Sequence, residues 1–338
     1  NYHSGTGSTF MNGGTVRKSG GGGAATLGHP VPENGVGGRM EVVTGGLVLP
    51  DGVTGGGTFH AVEGAEVRYE RGADLGDASF TGPGLQRFTG GTLTLTGACV
   101  GENVRLEGSA LAGTHALSGA WEWTGGALGS GETTVLEGAV LRVSGGGEHR
   151  MTSRAVVVEG VLEHAAGAGP LRFASAASVV GEEGGLVDLQ GDVVWNYHSG
   201  TASSVVNGGT FRSSAGDGVV ELNGISTFTN NGVFEVSGGR VSTSSTGFSN
   251  GGTVQVTGGG VLSLGGGGAS EGAWEAEAGA VVEFRAGSPS VGAGSGFTGA
   301  GTWRVAGATL SVEEGEGEVS VPVSYTHLRA HETLGSIS

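Results

Sequence analysis

The sequence predicts an all-β chain, folded as a parallel β-solenoid with coils of about 20 residues. Three observations support this prediction: 76 glycines in 338 residues beside an apolar fraction of 36%, an internal repeat, and no apolar periodicity of the helical kind. Short strands rich in Val and Leu, separated by tight glycine turns, would give this composition, whereas a flexible Gly/Ser linker would lack the apolar residues.

The chain repeats itself on a long scale. The segment NYHSGTGSTFMNGGTVRKSG at residues 1–20 returns as NYHSGTASSVVNGGTFRSSAG at residues 196–216, and residues 56–72 return as residues 271–287. The offset between the copies grows from 195 to 215 residues, so the later copy holds about one additional unit of 20 residues. We therefore divide the native chain into a first long repeat, residues 1–195, and a second, continuous long repeat, residues 196–321.

A shorter unit is visible in the second copy as two apolar series. They run through Phe211, Phe234, Val254 and Trp274, and through Val241, Leu262 and Val282. Each unit offers two short strands with alternating apolar residues and glycine at the corners. Such a unit, with two or three short strands, cannot bury a core alone, but it can when each strand pairs in parallel with its equivalent in the next coil. Parallel crossover connections are right-handed as a rule, so we expect a right-handed β-helix.

Asparagine recurs at the predicted corners, at Asn12, Asn207, Asn231 and Asn250. Asn and Gly tolerate the left-handed conformations that tight turns need. Stacked Asn side chains could also form a hydrogen-bonded ladder along one corner. Both interpretations, plain turn residues and a ladder, give these positions an architectural role.

The charge balance excludes one class of partner. The chain carries 32 acidic and 16 basic residues, a formal charge of −16. Phosphate backbones are bound by clustered Lys and Arg, so nucleic acid is not expected as a partner. The single cysteine, Cys99, alternates with apolar neighbours and is expected to be an inert buried thiol. No apolar run of about 18 residues occurs, so we expect no transmembrane segment in this sequence.

Units such as FTNNGVFEVSGG, FSNGGTVQVTGGGVLSL and GAGTWRVAGATLSV resemble the glycine-rich β-helical repeats of large bacterial surface proteins. Those repeats form the passenger regions of autotransporters and of haemagglutinin-like adhesins, and the resemblance covers nearly all of residues 1–321. It implies an extracellular or cell-surface stalk, attached to the outer membrane, without catalysis or cofactors. The partners implied are surface polysaccharide and the surface of a host or neighbouring cell.

A second function class stays open, because parallel β-helices also include proteins that bind or cleave polysaccharides. Glycosidases use paired carboxylates, and the nearest candidate pairs are Asp74 with Asp77 and Asp188 with Asp192. Neither pair lies in a motif of the pectinase type, so we favour surface turns with single carboxylates and assign no catalytic residue. The histidines that precede residue 322 are not grouped at ligand spacing, and no metal site is expected.

The segment WNYHSGT at residues 195–201 is the most distinctive one before residue 322. Trp195, Tyr197 and His198 could stack on a sugar ring and hydrogen-bond to it, which makes them the candidate ligand surface. The interpretation that we favour is that Trp195 and Tyr197 fill the core where one long repeat meets the next.

The end of the chain departs from the pattern. His327 and His331 stand four residues apart beside Glu332, a spacing that suits a metal site on a helix. However, PVSYTHLRAHET at residues 322–333 matches, residue for residue, one reading frame of a transposon-library sequencing adapter. We therefore expect residues 322–338 to be a non-native tail, disordered or irregular, with the native protein cut off near Val321.

Overall fold

The computed structural model describes residues 10–312, which divide into two compact units, residues 10–156 and residues 157–312. Both units are parallel β-solenoids, and they contain about 14 turns with coils of about 21 residues. No helix occurs between residues 10 and 312. The predicted fold class and coil length are confirmed. The tail predicted at residues 322–338 lies outside the described residues.

The first unit contains β1 (Phe10–Asn12), β2 (Thr15–Lys18), β3 (Ala24–Thr26), β4 (Pro32–Asn34), β5 (Arg39–Val42), β6 (Gly46–Leu49), β7 (Thr54–Gly55), β8 (Thr58–Ala61), β9 (Glu66–Tyr69), β10 (Gly72–Gly76), β11 (Ser79–Thr81), β12 (Leu85–Phe88), β13 (Thr92–Leu106), β14 (Ala110–Trp123), β15 (Ala127–Val135), β16 (Val140–Val143) and β17 (His149–Thr152). The boundary between the units falls within β18 (Arg154–Val158).

The second unit contains β19 (Val161–His164), β20 (Leu171–Ala174), β21 (Ser178–Gly181), β22 (Leu186–Leu189), β23 (Val193–Ser199), β24 (Ser204–Asn207), β25 (Thr210–Ser213), β26 (Val219–Asn223), β27 (Thr227–Asn230), β28 (Val233–Val236), β29 (Arg240–Thr243), β30 (Gly247–Asn250), β31 (Thr253–Val256), β32 (Val261–Leu264), β33 (Gly268–Ser270), β34 (Ala273–Ala276), β35 (Val281–Phe284), β36 (Pro289–Val291), β37 (Gly296–Thr298), β38 (Thr302–Val305) and β39 (Ser311–Val312).

Each coil of the second unit contributes three strands, and each strand pairs in parallel with its equivalent in the next coil. The stacks are β19–β22–β25–β28–β31–β34–β37, β20–β23–β26–β29–β32–β35–β38 and β21–β24–β27–β30–β33–β36–β39. The two apolar series of the sequence are the first two stacks. The sequence allowed a third strand in each unit but did not identify its residues, because strands such as TFTN and GFSN carry one large apolar residue each and end in turn-forming Asn.

The core of the second unit is a column of stacked side chains. Phe211 pairs in register with Phe234, Phe234 with Val254, and Val254 with Trp274. The rings of Phe211 and Phe234 are parallel, with centroids 5.4 Å apart, and both side chains are buried. Burying one such side chain contributes about 1.5–3 kcal/mol to stability. The repeat spacing predicted from the sequence therefore corresponds to the in-register pairing of these residues between successive coils.

The first unit uses the same coil, but two of its coils are almost continuous strand. β13 and β14, of 15 and 14 residues, pair in parallel along most of their length. The shorter strands β10, β11 and β12 pair with successive parts of β13. Gly97 and Gly113 bend these long strands with φ of +72° and +84°, in the left-handed region that favours glycine.

One corner of the second unit is formed by stacked glycines, Gly209, Gly232, Gly252 and Gly272. A Cβ atom on Gly232 would lie 2.1 Å from the carbonyl oxygen of Gly209, and one on Gly252 would lie 2.1 Å from that of Gly232. Both contacts are shorter than van der Waals separation allows, so only glycine fits between successive coils at this corner.

Candidate functional site

The structure separates the three residues of the predicted ligand surface. Trp195 is fully buried in the core, whereas Tyr197 is 43% exposed and His198 is also exposed. Trp195 therefore fills the core and cannot stack on a ligand. Tyr197 does not fill the core, although it is in register with the buried Phe173.

Trp195 is fixed in the core by hydrogen bonds as well as by packing. Its indole Nε1 donates to His164 Nδ1 at 2.8 Å, and His164 Nε2 lies 3.1 Å from the carbonyl oxygen of Gly169. Since an indole N–H can only donate, Nδ1 of His164 accepts, and Nε2 carries the proton that it donates to Gly169. The rings of Phe173 and Phe211 lie 5.5 and 5.7 Å from Trp195, centroid to centroid. Both polar rings are thus used inside the fold.

Tyr197 is held at the surface by a β-bulge. Phe173 pairs with Tyr197 and Ala174 with Ser199, so His198 is the additional residue on the bulged strand. The Tyr197 hydroxyl donates to the carbonyl oxygen of Gly200 at 2.9 Å. Gly224 of the next coil lies directly against Tyr197, since a Cβ atom there would be 2.5 Å from the tyrosine Cβ. Tyr197 and His198 are therefore adjacent, exposed residues at this bulge.

The predicted asparagine ladder exists in the second unit, but one of its members differs. Asn207 Nδ2 donates to Asn230 Oδ1 at 2.7 Å, and Asn230 Nδ2 donates to Asn250 Oδ1 at 2.8 Å. Asn231, which we expected in this position, is exposed. The strand alternation explains the correction: Asn230 is the last inward-facing residue of β27, and the next position turns to solvent.

A second, shorter ladder lies in the first unit, where Asn12 Nδ2 donates to Asn34 Oδ1 at 2.7 Å. Asn12 was predicted, whereas Asn34 was missed. In the second unit the ladder begins at Asn207. Its Oδ1 has no hydrogen-bond partner among the residues that the structure describes, because its neighbour in register is Gly181. It ends at Asn250, which is in register with Ser270.

The candidate carboxylates are used in local structure. Asp188 is buried, and its carboxylate accepts hydrogen bonds from Arg212 at 2.9 and 3.1 Å and from Ser214 at 2.7 Å. Burial alone would raise the pKa of Asp188, but the hydrogen bonds, that of Arg212 foremost, hold it below its usual value. Asp192 accepts from the Val219 amide at 2.7 Å.

In the first pair, Asp77 accepts a hydrogen bond from the Ala98 amide at 2.8 Å, and Asp74 is exposed on β10. Three of the four aspartates thus bind a named group of the fold. An ionised, paired Asp188 is poorly suited to donate a proton as a general acid.

A buried polar network in the first unit was missed by sequence reasoning. Arg154 is 1% exposed and donates to Thr133 Oγ1 at 2.7 Å and to the carbonyl oxygens of Ser130 at 2.8 Å and Leu111 at 3.2 Å. Burial lowers the pKa of Arg154 to about 10, so the guanidinium stays charged at neutral pH. The available signal was its inward position in the strand RAVVV, where the alternation places Arg154 on the same side as two valines.

His115 continues this network. Its Nδ1 lies 3.2 Å from the carbonyl oxygen of Leu95, and its Nε2 lies 3.0 Å from Thr133 Oγ1. A carbonyl only accepts, so Nδ1 carries the proton and Nε2 accepts from the threonine hydroxyl. Burial, and then the charge of Arg154, lower the pKa of His115 to about 4. The network thus keeps a neutral imidazole inside the solenoid.

Ion pairs join successive coils on the outer face of the first unit. Arg87 lies between two carboxylates, 2.7 Å from Glu107 and 3.2 Å from Glu66. The hydrogen bonds that Arg87 donates to both carboxylates, Glu107 first, raise its pKa. Arg105 lies 2.7 Å from Glu122 in the same way. Partly exposed pairs of this kind contribute about 0–1 kcal/mol each.

The remaining candidates of the sequence are quickly placed. Cys99 is buried, and burial raises the pKa of its thiol to about 11, so the thiol is protonated at neutral pH and unreactive. Within residues 10–312, no three His, Cys, Asp or Glu side chains are grouped so that they could hold a metal ion. The same residues contain no helix of the length and apolarity needed to cross a membrane.

A scan against protein-family models finds none that matches this chain, and searches of curated proteins and of solved structures also find no match. Its function is therefore inferred from its own residues.

Proposed function

We propose that this chain is a structural, adhesin-like stalk of a large, repetitive bacterial surface or secreted protein, located outside the cell and without catalytic activity. The observation that supports the proposal most is the in-register pairing of three strands per coil through the whole second unit. Each coil uses its inward groups to bind the coils before and after it. Such a chain can space other parts at a distance set by the number of its coils.

The buried polar side chains support the same proposal. Asn207, Asn230 and Asn250 bind one another from coil to coil. Asp188 binds Arg212 of the next coil, and Trp195 binds His164 of the preceding one. These side chains, whose types also occur in catalytic and binding sites, here stabilise the stacking of successive coils.

Deleting one coil tests the spacing role. Thr229 pairs with Ser249 and Asn230 with Asn250, so removing residues 230–249 joins Thr229 to Asn250 without changing the register. We expect the variant to fold, and spin labels placed at Glu183 and Glu277 to come closer by about 4.8 Å, one strand spacing.

The matched control removes residues 230–250, one residue more. This deletion shifts the downstream alternation by one position and turns the inward side chains outward, so we expect it to unfold the second unit. Loss of folding in both deletions, or an unchanged label distance in the first, would contradict the role of a modular spacer.

The surface location is tested with antibodies raised against residues 10–312. They should label intact cells of the source organism as strongly as permeabilised ones. Labelling that requires permeabilisation would exclude an extracellular stalk.

Polysaccharide binding is a second candidate, favoured by the exposed Tyr197 ring beside His198 on the bulge. Retention of the chain on an array of surface polysaccharides, lost in Tyr197→Ala and kept in Tyr197→Phe, would support it, because the phenylalanine keeps the ring that stacks on a sugar. Release of new reducing ends from any of these polysaccharides would show the cleaving alternative and refute the absence of catalysis.

A further inference from the structure

The chain contains six Asn–Gly pairs, which begin at Asn12, Asn34, Asn207, Asn223, Asn231 and Asn250. In this dipeptide the backbone nitrogen of glycine can attack the side-chain amide of the preceding asparagine, because glycine has no Cβ to hinder the approach and adopts the strained conformation easily. The sequence alone gives all six pairs the same intrinsic reactivity. The structure distinguishes them.

Four of the six asparagines belong to the two ladders. Asn12, Asn34, Asn207 and Asn250 are at most 7% exposed. The amide nitrogen of each donates at least one hydrogen bond, for example Asn207 Nδ2 to Val233 O at 2.9 Å and Asn250 Nδ2 to Ala273 O at 3.1 Å. The side chain must leave these partners before it can turn toward the glycine nitrogen.

The other two asparagines lie outside the ladders. Asn231 is exposed, and its side chain makes no hydrogen bond to any residue that the structure describes. Asn223 is half-buried, and its Nδ2 donates to the Glu221 carboxylate at 3.1 Å. Asn231 therefore has the side chain with the greatest freedom to rotate.

The hydrogen bonds of the glycine backbone nitrogens differ less than those of the asparagine side chains. Gly232 N donates to Asn207 O at 3.0 Å, whereas Gly208 N and Gly251 N of the ladder pairs make shorter bonds of 2.6 and 2.7 Å. Both partners of the reaction are thus freer at Asn231 than in the second-unit ladder.

We propose that Asn231 is a site of spontaneous covalent modification, which goes beyond the stalk function. The nitrogen of Gly232 attacks Cγ of Asn231 and forms a new C–N bond, the Cγ–Nδ2 bond breaks, and Nδ2 leaves as ammonia with the proton of the glycine nitrogen. Water then opens the resulting succinimide at either carbonyl, which gives aspartate or isoaspartate. The only co-reactant is water.

The product changes the chain at a sensitive corner. Either product adds a negative charge next to Asn230, the central ladder residue, and isoaspartate also inserts a methylene into the backbone. Gly232 has no spare room on the side of Gly209. We therefore expect the corner between β27 and β28 to be less stable in modified chains. The fraction of chains modified at Asn231 should increase with the age of the protein.

Mass spectrometry of the full chain tests the proposal. After incubation in mildly alkaline buffer, peptide fragmentation should locate the mass increase at Asn231 first and at Asn223 more slowly. The ladder asparagines should react at least about ten times more slowly than Asn231, since local opening must first break at least one buried hydrogen bond.

The same chain unfolded in urea is the control, because all six pairs should then react at similar rates. The variant Asn231→Gln shows which of the adjacent residues Asn230 and Asn231 is modified, because it should abolish the early mass increase of the peptide that contains both. Ladder asparagines that react as fast as Asn231 in the folded chain would overturn the proposal. So would an unmodified Asn231 in folded chains when the unfolded control reacts.

Discussion

Asn230 is the residue whose replacement tests the architecture most directly. Its buried side chain accepts from Asn207 at 2.7 Å and donates to Asn250 at 2.8 Å and to Thr253 O at 3.0 Å; a longer contact of 3.3 Å from Nδ2 to Gly232 O shares one of the two N–H groups. Asn230→Ala removes these hydrogen bonds and leaves Asn250 Oδ1 without a donor. At about 1 kcal/mol for each of the three principal bonds, we expect the free energy of unfolding of the second unit to fall by about 3 kcal/mol.

The assay is denaturant unfolding followed by circular dichroism, with hydrogen exchange of the amides in β24, β27 and β30 to locate the loss. Asn231→Ala is the matched control, since it makes the same chemical change one residue away at an exposed position. We expect it to change stability by no more than about 0.5 kcal/mol. Equal effects of the two substitutions would refute the assignment of the ladder to Asn230.

Three further predictions concern other residues. Gly252→Ala should destabilise the second unit by about 2 kcal/mol or more, because its Cβ would lie 2.1 Å from Gly232 O, whereas Gly296→Ala, with open space around its Cβ, should be nearly neutral in the same denaturation assay. Since the pKa of His115 is lowered to about 4 in the folded state, its contribution is complete above the unfolded pKa of 6.5 and is lost as the pH falls toward 4. The first unit should lose about 3 kcal/mol of stability over this interval, and the urea midpoints of His115→Gln should lack that part of the pH dependence. Identical pH profiles for the variant and the unmodified chain would show that His115 does not cause the loss. An independent, longer read of the same gene should diverge from the present sequence at Pro322, and a read that continues through it would refute the adapter origin.

The sequence predicted the repeating parts of this fold and failed where a position departs from the repeat. The series Phe211, Phe234, Val254 and Trp274 was predictable because each residue occupies the same place in successive coils. The choice between Asn230 and Asn231 was not, since it depends on which of two adjacent residues ends the strand. Burial of Arg154 was also not predicted: the alternation in RAVVV indicated an inward position, but the partners that satisfy the guanidinium are mainly backbone carbonyls, which the sequence does not reveal.

The same limit applies to the candidate ligand surface. Trp195 and Tyr197 are two residues apart and would face the same side of a regular strand. The bulge at His198 breaks that rule and places one ring inside and the other outside. Bulges of one residue depend on the packing of neighbouring coils, which a single sequence does not reveal.

The asparagine ladder also has a direction. In both units every amide donates toward the coil that follows it in the chain, so the side-chain dipoles align head to tail along the axis of their unit. Aligned hydrogen bonds polarise one another, which makes each added link stronger than an isolated one. The column in the second unit therefore behaves as a small electric dipole, with its negative end at the unpartnered oxygen of Asn207 beside Gly181. At position 181 a side chain that offers an N–H would bind this end more strongly than the present glycine does, and such a column discriminates between its two ends even though the backbone repeats identically.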